Sequence, residues 1–157
     1  MITPIQAATV VNYLYAAQTI QVTDDQDVVW ADYINAEIPD ADGSDLLPAA
    51  RATIRDWAAK GRSWRIDVGR YVDALHKLRR DRVDAATKTR ALLPVGIDDP
   101  MVELEWRRAA TRALMGGAPR DVAESQAYAA IDMPTPALLA SAHHEVKQLT
   151  NQIGATA

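Results

Sequence analysis

The densest chemistry in this chain is cationic. His76, Lys77, Arg79, Arg80 and Arg82 fall within seven residues, Arg70 precedes them, and Lys88 and Arg90 follow. On a helix, Arg70, Lys77 and Lys88 share one broad face and Arg79 and Arg82 an adjacent one, so the cluster wraps rather than forming a single stripe. Such an array can neutralise several phosphates, each contact adding to affinity and to its salt dependence. Asp73, Asp81 and Asp84 offer the competing outcome, a solvated or acid-facing helix with pairs such as Asp73 with Lys77 and Asp84 with Lys88. Just upstream, Arg62-Ser63-Trp64-Arg65 sets an indole between arginines, able to stack on a base, meet a protein surface or fold down over a small core. The candidate set for binding nucleic acid or an acidic partner is therefore Arg62, Trp64, Arg65, Arg70, Lys77, Arg79, Arg80 and Arg82.

Catalytic patterns do not emerge. No Gly-rich phosphate loop ending in Lys-Ser/Thr, no G-x-S-x-G elbow, no H-E-x-x-H and no D-x-D-x-D-G loop is present. His143 and His144 are adjacent, so on a helix they point about 100° apart and cannot share one metal. Glu103 and Glu105 diverge for the same reason. The absence of cysteine removes thiol nucleophiles, thiolate metal sites and disulfides together. The expectation is a protein that is not an enzyme and holds neither metal nor cofactor.

Charge is distributed unevenly along the chain. Residues 1–50 carry eight acids and neither Lys nor Arg, residues 51–90 carry twelve Lys/Arg against five Asp, and residues 91–157 carry five basic and eight acidic side chains. Local potential steers association even when the molecule is near neutral, so the middle block can attract phosphate or an acidic protein. The first block can attract a basic partner, or it can fold back on the middle one.

The elements that must position these residues read as helices throughout, giving an all-α fold of about seven helices with one long basic helix. Thr3 caps a first helix with Pro4 at its first position, its face lined by Ile5, Ala8, Thr9, Asn12 and Tyr15 and widened by Val10, Val11 and Leu14. Thr23 caps a second, with Asp24, Asp25 and Asp27 in its first turn and Val29, Trp30, Tyr33 and Ile34 on its buried side. A third starts at Ser44 or Asp45 and stops at Gly61; a fourth runs from about Asp67 to Leu92 with Val68, Tyr71, Val72, Leu75 and Leu78 as its apolar seam. Its distal half has little to bury. Leu93 to Pro100, with two prolines and a glycine, divides a helical domain 1–92 from a C-terminal segment 93–157. Beyond it the pattern predicts helices over Pro100–Met115, from Pro119 or Arg120 to Ile131, and from Pro136 to about Ile153. Trp30, Trp57 and Trp106 lie on apolar seams and read as core anchors. Residues 108–139 have the outline of a helix-turn-helix, but the last helix opens Pro136-Ala137-Leu138-Leu139-Ala140 with almost nothing to read a base, which fits packing or oligomerisation better.

Four segments carry a family resemblance. Thr3-x-x-Gln6 opening a helix, Thr23 leading to Trp30-Ala31-Asp32-Tyr33, Leu46-x-x-Ala49-Ala50, and a basic helix around Tyr71-Val72 resemble the N-terminal domain of phage replicative-helicase loader/inhibitor proteins. The resemblance covers residues 1–90 and departs where the family has a proline-containing entry into the fourth helix, which here is Ser63-Trp64-Arg65-Ile66. It implies a small, helical, non-enzymatic DNA-replication adaptor that binds the replicative helicase or an initiator protein and touches DNA, if at all, through the basic helix. The expected location is the cytoplasm, that of the host for a phage-borne chain: the N-terminus shows no basic leader, and no stretch reaches the ~18 apolar residues of a membrane span. Two rival classes are a phage head or tail connector protein, which would form a homo-oligomer, and a DNA-binding regulator.

Overall fold

The computed structural model describes residues 1–61 and 65–136. Among these the chain forms six α-helices and no strand: α1 (Pro4–Ala16), α2 (Gln26–Glu37), α3 (Gly43–Ala59), α4 (Val68–Thr87), α5 (Pro100–Met115) and α6 (Arg120–Ala130). Beyond Pro136 the seventh expected helix lies outside the described residues, as do His143 and His144. Chain contacts divide the protein into two compact units, Met1–Asp84 and Ala85–Ala157.

In the first unit, α1 begins with a reciprocal cap. The Gln6 N–H donates to Thr3 Oγ1 at 3.3 Å and the Thr3 N–H donates to Gln6 Oε1 at 2.9 Å, with Pro4 at the first position where no donor is needed. Ala7, Val10, Val11 and Leu14 turn inward, whereas Ile5 (82% exposed) and Tyr15 (57%), expected on the buried face, turn outward. The helix is apolar on several sides, so periodicity alone leaves its orientation open; packing against α2 and α3 selects the face that carries Ala7, whose small side chain permits close approach.

Helix α2 starts later than its residue pattern predicts. Thr23 does not cap it; the Thr23 N–H instead donates to Gln26 Oε1 at 3.0 Å and its carbonyl accepts from the Gln26 N–H, leaving Asp25 at the N-cap in a left-handed conformation (φ 58°) with no side-chain cap bond. Only Asp27 remains in the first turn. Trp30, Ala31 and Ile34 fill the inner face, and Val29 and Tyr33, expected to be buried, are exposed. Burying the largest side chain, Trp30, rotates its neighbour Val29 out by about 100°.

Helix α3 is capped by Asp42, whose Oδ1 accepts from the Ser44 N–H at 2.7 Å. Hydrogen bonds from the Ser44 side chain and backbone hold the Asp42 carboxyl below the usual carboxylate range. The helix ends at Lys60, and Gly61 takes the left-handed φ of 72° that follows a helix end at little cost without a Cβ. In α4, Tyr71, Val72 and Leu75 form the buried seam as expected, and the position one turn further on is Arg79. Tyr71 joins three helices: its ring lies 5.4 Å from Trp30, and its hydroxyl donates to the Leu46 carbonyl at 2.9 Å.

The second unit is built on α5 packed against α6. Asp99 caps α5 by accepting from the Met101 N–H at 2.8 Å, Pro100 sits at its first turn, and Gly117 (φ 88°) makes the break between the helices. Trp106 meets Tyr128 edge-on at 5.5 Å, with Ala110 and Ala127 completing the core. The Tyr128 hydroxyl accepts from the Val95 N–H at 2.7 Å and donates to the Val95 carbonyl at 3.1 Å, which ties down the segment before α5. Helix α4 ends at Thr87 rather than near Leu92. There the Arg120 guanidinium receives the chain, donating to the carbonyls of Ala86 (2.6 Å), Ala91 (2.8 Å) and Arg90. It thereby supplies partners for carbonyls that a helix end leaves open.

Candidate interaction surfaces

The basic residues singled out from the sequence differ in their exposure. Arg62 and Trp64 lie outside the described residues. Arg65, Arg70, Lys77 and Arg80 are exposed. Arg79 is not available to a partner, because its side chain is 4% exposed and its guanidinium lies 2.8 Å from Asp40 and 3.5 Å from Asp45. Arg82 is turned the same way, 2.6 Å from Asp45, with 28% of its side chain exposed.

The cause is Asp45. It occupies the first turn of α3, favourable for a carboxylate, and is fully buried. A buried carboxylate is costly unless cations compensate it, and two arginines one turn apart on α4 do so. The contact is one of charge and proximity, since neither Asp45 oxygen accepts a well-aligned hydrogen bond. Arg79 also donates to the Asp40 carbonyl at 3.2 Å, which fastens the α2–α3 loop to α4. At this point the acidic first block folds back on the basic one. Beside the cluster, burial pushes the Tyr71 hydroxyl well above its ordinary pKa, and the negative charge of Asp45 adds to the rise.

On the other side of α4 an open groove of ≈ 1210 Å³ separates it from α3, with Tyr13 of α1 at its edge. Arg51, Arg55 and Lys60 line it from α3, and Arg70 and Lys77 from α4. Asp56, Asp73 and Asp81 stand among them. Two of these acids are engaged, Asp56 with Lys60 at 2.9 Å and Asp81 with Lys77 at 2.7 Å, so Lys77 pairs forward along its helix rather than with Asp73. Arg51 and Arg55 are exposed and have no ion pair among the described residues. Reasoning from the sequence missed both, although their i,i+4 spacing within α3 was the signal that they share a face.

A second surface faces outward on α2. Val29, Asp32, Tyr33 and Ala36 recur at i, i+3, i+4 and i+7 and are all exposed, with Asp25 and Glu37 beside them. Val29 is 58% and Tyr33 40% exposed. Among the described residues no three His, Cys, Asp or Glu side chains stand together as a metal site, and no helix is long and apolar enough to cross a membrane. Protein-family models, curated proteins and solved structures offer no match to this chain.

Proposed function

We propose that this protein is a non-enzymatic adaptor that works by binding, and that its task is to load or regulate a replicative DNA helicase of the kind served by phage loader proteins. The helicase assignment rests on the residue resemblance in α1 to α4. The adaptor reading is supported chiefly by one observation: after the internal pairs at Asp45 are made, Arg65 and Arg80 remain solvent-facing with no ion pair among the described residues. Exposed arginines without internal partners are poised for an anionic surface, and guanidinium groups suit both carboxylate and phosphate. In this reading the acidic, partly apolar stripe of α2 docks on a basic protein surface, while Arg65 and Arg80 face DNA or an acidic partner. Arg79 and Arg82 leave that role, because they hold the fold together.

The test is capture of partners from a lysate of the cell in which the gene resides, at low and at high salt, with protein and nucleic acid both identified. Recovery of a replicative helicase or initiator, lost at high salt and in an Arg65→Glu/Arg80→Glu variant, is the expected result. Recovery of virion proteins, or of this chain alone, overturns the helicase assignment.

A further inference from the structure

The groove between α3 and α4 and the outer stripe of α2 are complements of each other, and we propose that the groove of one copy takes α2 of a second copy. Four features of the groove define its occupant. Its α3 wall is cationic, with Arg51, Arg55 and Lys60 against Asp56; its α4 wall balances Arg70 and Lys77 with Asp73 and Asp81; and Ile54 and Leu78 add apolar lining. Its wall along α3, from Pro48 to Lys60, is roughly 18 Å long at 1.5 Å per residue. It is open to solvent, and Arg51 and Arg55 have no ion pair of their own among the described residues.

Helix α2 matches each of these features. Its twelve residues span roughly 18 Å. Val29, Tyr33 and Ala36 present the i, i+4, i+7 anchors by which an amphipathic helix lies in a groove. Asp25, Asp32 and Glu37 stand on the same side, and residues 1–50 contain no Lys or Arg to oppose Arg51 and Arg55 on the α3 wall. A nucleic-acid strand fits less well. It gains nothing from the apolar lining of Ile54 and Leu78, against which Val29 and Tyr33 of a helix can be buried. The surfaces that contact each other lie on different parts of one copy, so the association is head-to-tail unless two copies engage reciprocally.

Sedimentation velocity over a concentration series tests the proposal on the full-length protein. The wild type is expected to gain mass with concentration at low salt and to lose it at high salt. Arg51→Glu/Arg55→Glu and, separately, Asp32→Arg/Glu37→Arg are each expected to weaken self-association by about tenfold or more, since reversal converts attraction to repulsion. A mixture of the two variants restores a complex through the groove of the second and the intact α2 of the first. All four positions are exposed, and unchanged circular dichroism and melting verify the fold. Val29→Ser/Tyr33→Ser should weaken association without changing its salt slope. A wild type monomeric at every concentration overturns the proposal, as does association that survives both reversals, or a monomer whose groove instead binds oligothymidylate in an Arg51- and Arg55-dependent way. Arg51→Glu/Arg55→Glu leaves Arg65, Arg80 and the α2 stripe untouched, so in that variant loss of self-association and loss of helicase capture are separate results.

Discussion

Replacing Arg79 by Met should destabilise the first unit more than any change at the other members of its ion cluster. The substitution keeps an unbranched side chain of similar reach at a position that is almost wholly buried, so little packing is lost. It leaves the fully buried Asp45 carboxylate with Arg82 alone, and strands the carbonyl of Asp40 without its donor. Breaking a buried pair by removing one partner costs about 3–5 kcal/mol, a large part of the ~5–15 kcal/mol that holds a domain folded. At a urea dependence of about 2 kcal/mol per M, the midpoint falls by roughly 2 M. Asp40→Asn should do far less, about 0–1 kcal/mol, because that carboxylate is half exposed and its charge is satisfied by water. The double variant Asp45→Leu/Arg79→Met should recover most of the loss, since an apolar pair of similar volume carries no desolvation penalty and Arg82 can turn to solvent. Peptide-resolved hydrogen exchange in a urea series reads the units apart, with loss expected in α1 to α4 and none in α5 and α6. A cost under ~1 kcal/mol for Arg79→Met, or one equal to that of Asp40→Asn, would refute the idea that Asp45 needs its second arginine.

Two further outcomes follow from side chains that bridge elements. Tyr71 has its pKa raised above 10.0, first by burial and then by Asp45, so the folded state disfavours the phenolate; its contribution to stability is complete below about pH 10 and is lost above it, with a slope approaching ~1.4 kcal/mol per pH unit. Tyr71→Phe should cost about 1 kcal/mol at neutral pH through the lost bond to Leu46 and should remove that alkaline slope in urea titrations, whereas an unchanged slope would assign it to other groups. Arg120→Met should cost about 1–3 kcal/mol and speed exchange in residues 86–92, because several carbonyls lose their donor at once, while the mostly exposed Arg90→Ala should cost under ~1 kcal/mol; equal effects would show that Arg120 is no more than a surface ion pair.

Much of the helical pattern was legible in the residues because its signals are local. The Thr3/Gln6 cap, Gly61, the Asp99-Pro100 start and the Gly116-Gly117 break each act within one turn, and the elements they bound are those observed. Local signals failed where two neighbours competed. At the start of α2 the Gln26 side chain, not Thr23, closes the turn, and Arg120, distant in sequence, takes the carbonyls near the end of α4. The orientations of α1 and α2 were also illegible, since apolar residues point in several directions and only the packing of Ala7 and Trp30 decides which go in. Among the basic residues, density in sequence proved a poor guide to availability. Arg79 lies at the centre of the cluster and is the most buried of it, whereas Arg51 and Arg55 lie outside the cluster and line an open groove.

By itself the sequence determined the helical class, several element boundaries and a separation of charge between an acidic start and a basic middle, because composition, caps and breakers act at short range. Tertiary structure alone decided how that charge is used. Asp45 is one acid among eight in the first fifty residues, and nothing in its neighbours marks it for burial. Once α3 places it under α4, the cost of an uncompensated carboxylate in a medium of low polarity draws Arg79 and Arg82 inward. The arginines left outside, and the apolar stripe that Trp30 forces outward on α2, are what remains exposed to solvent.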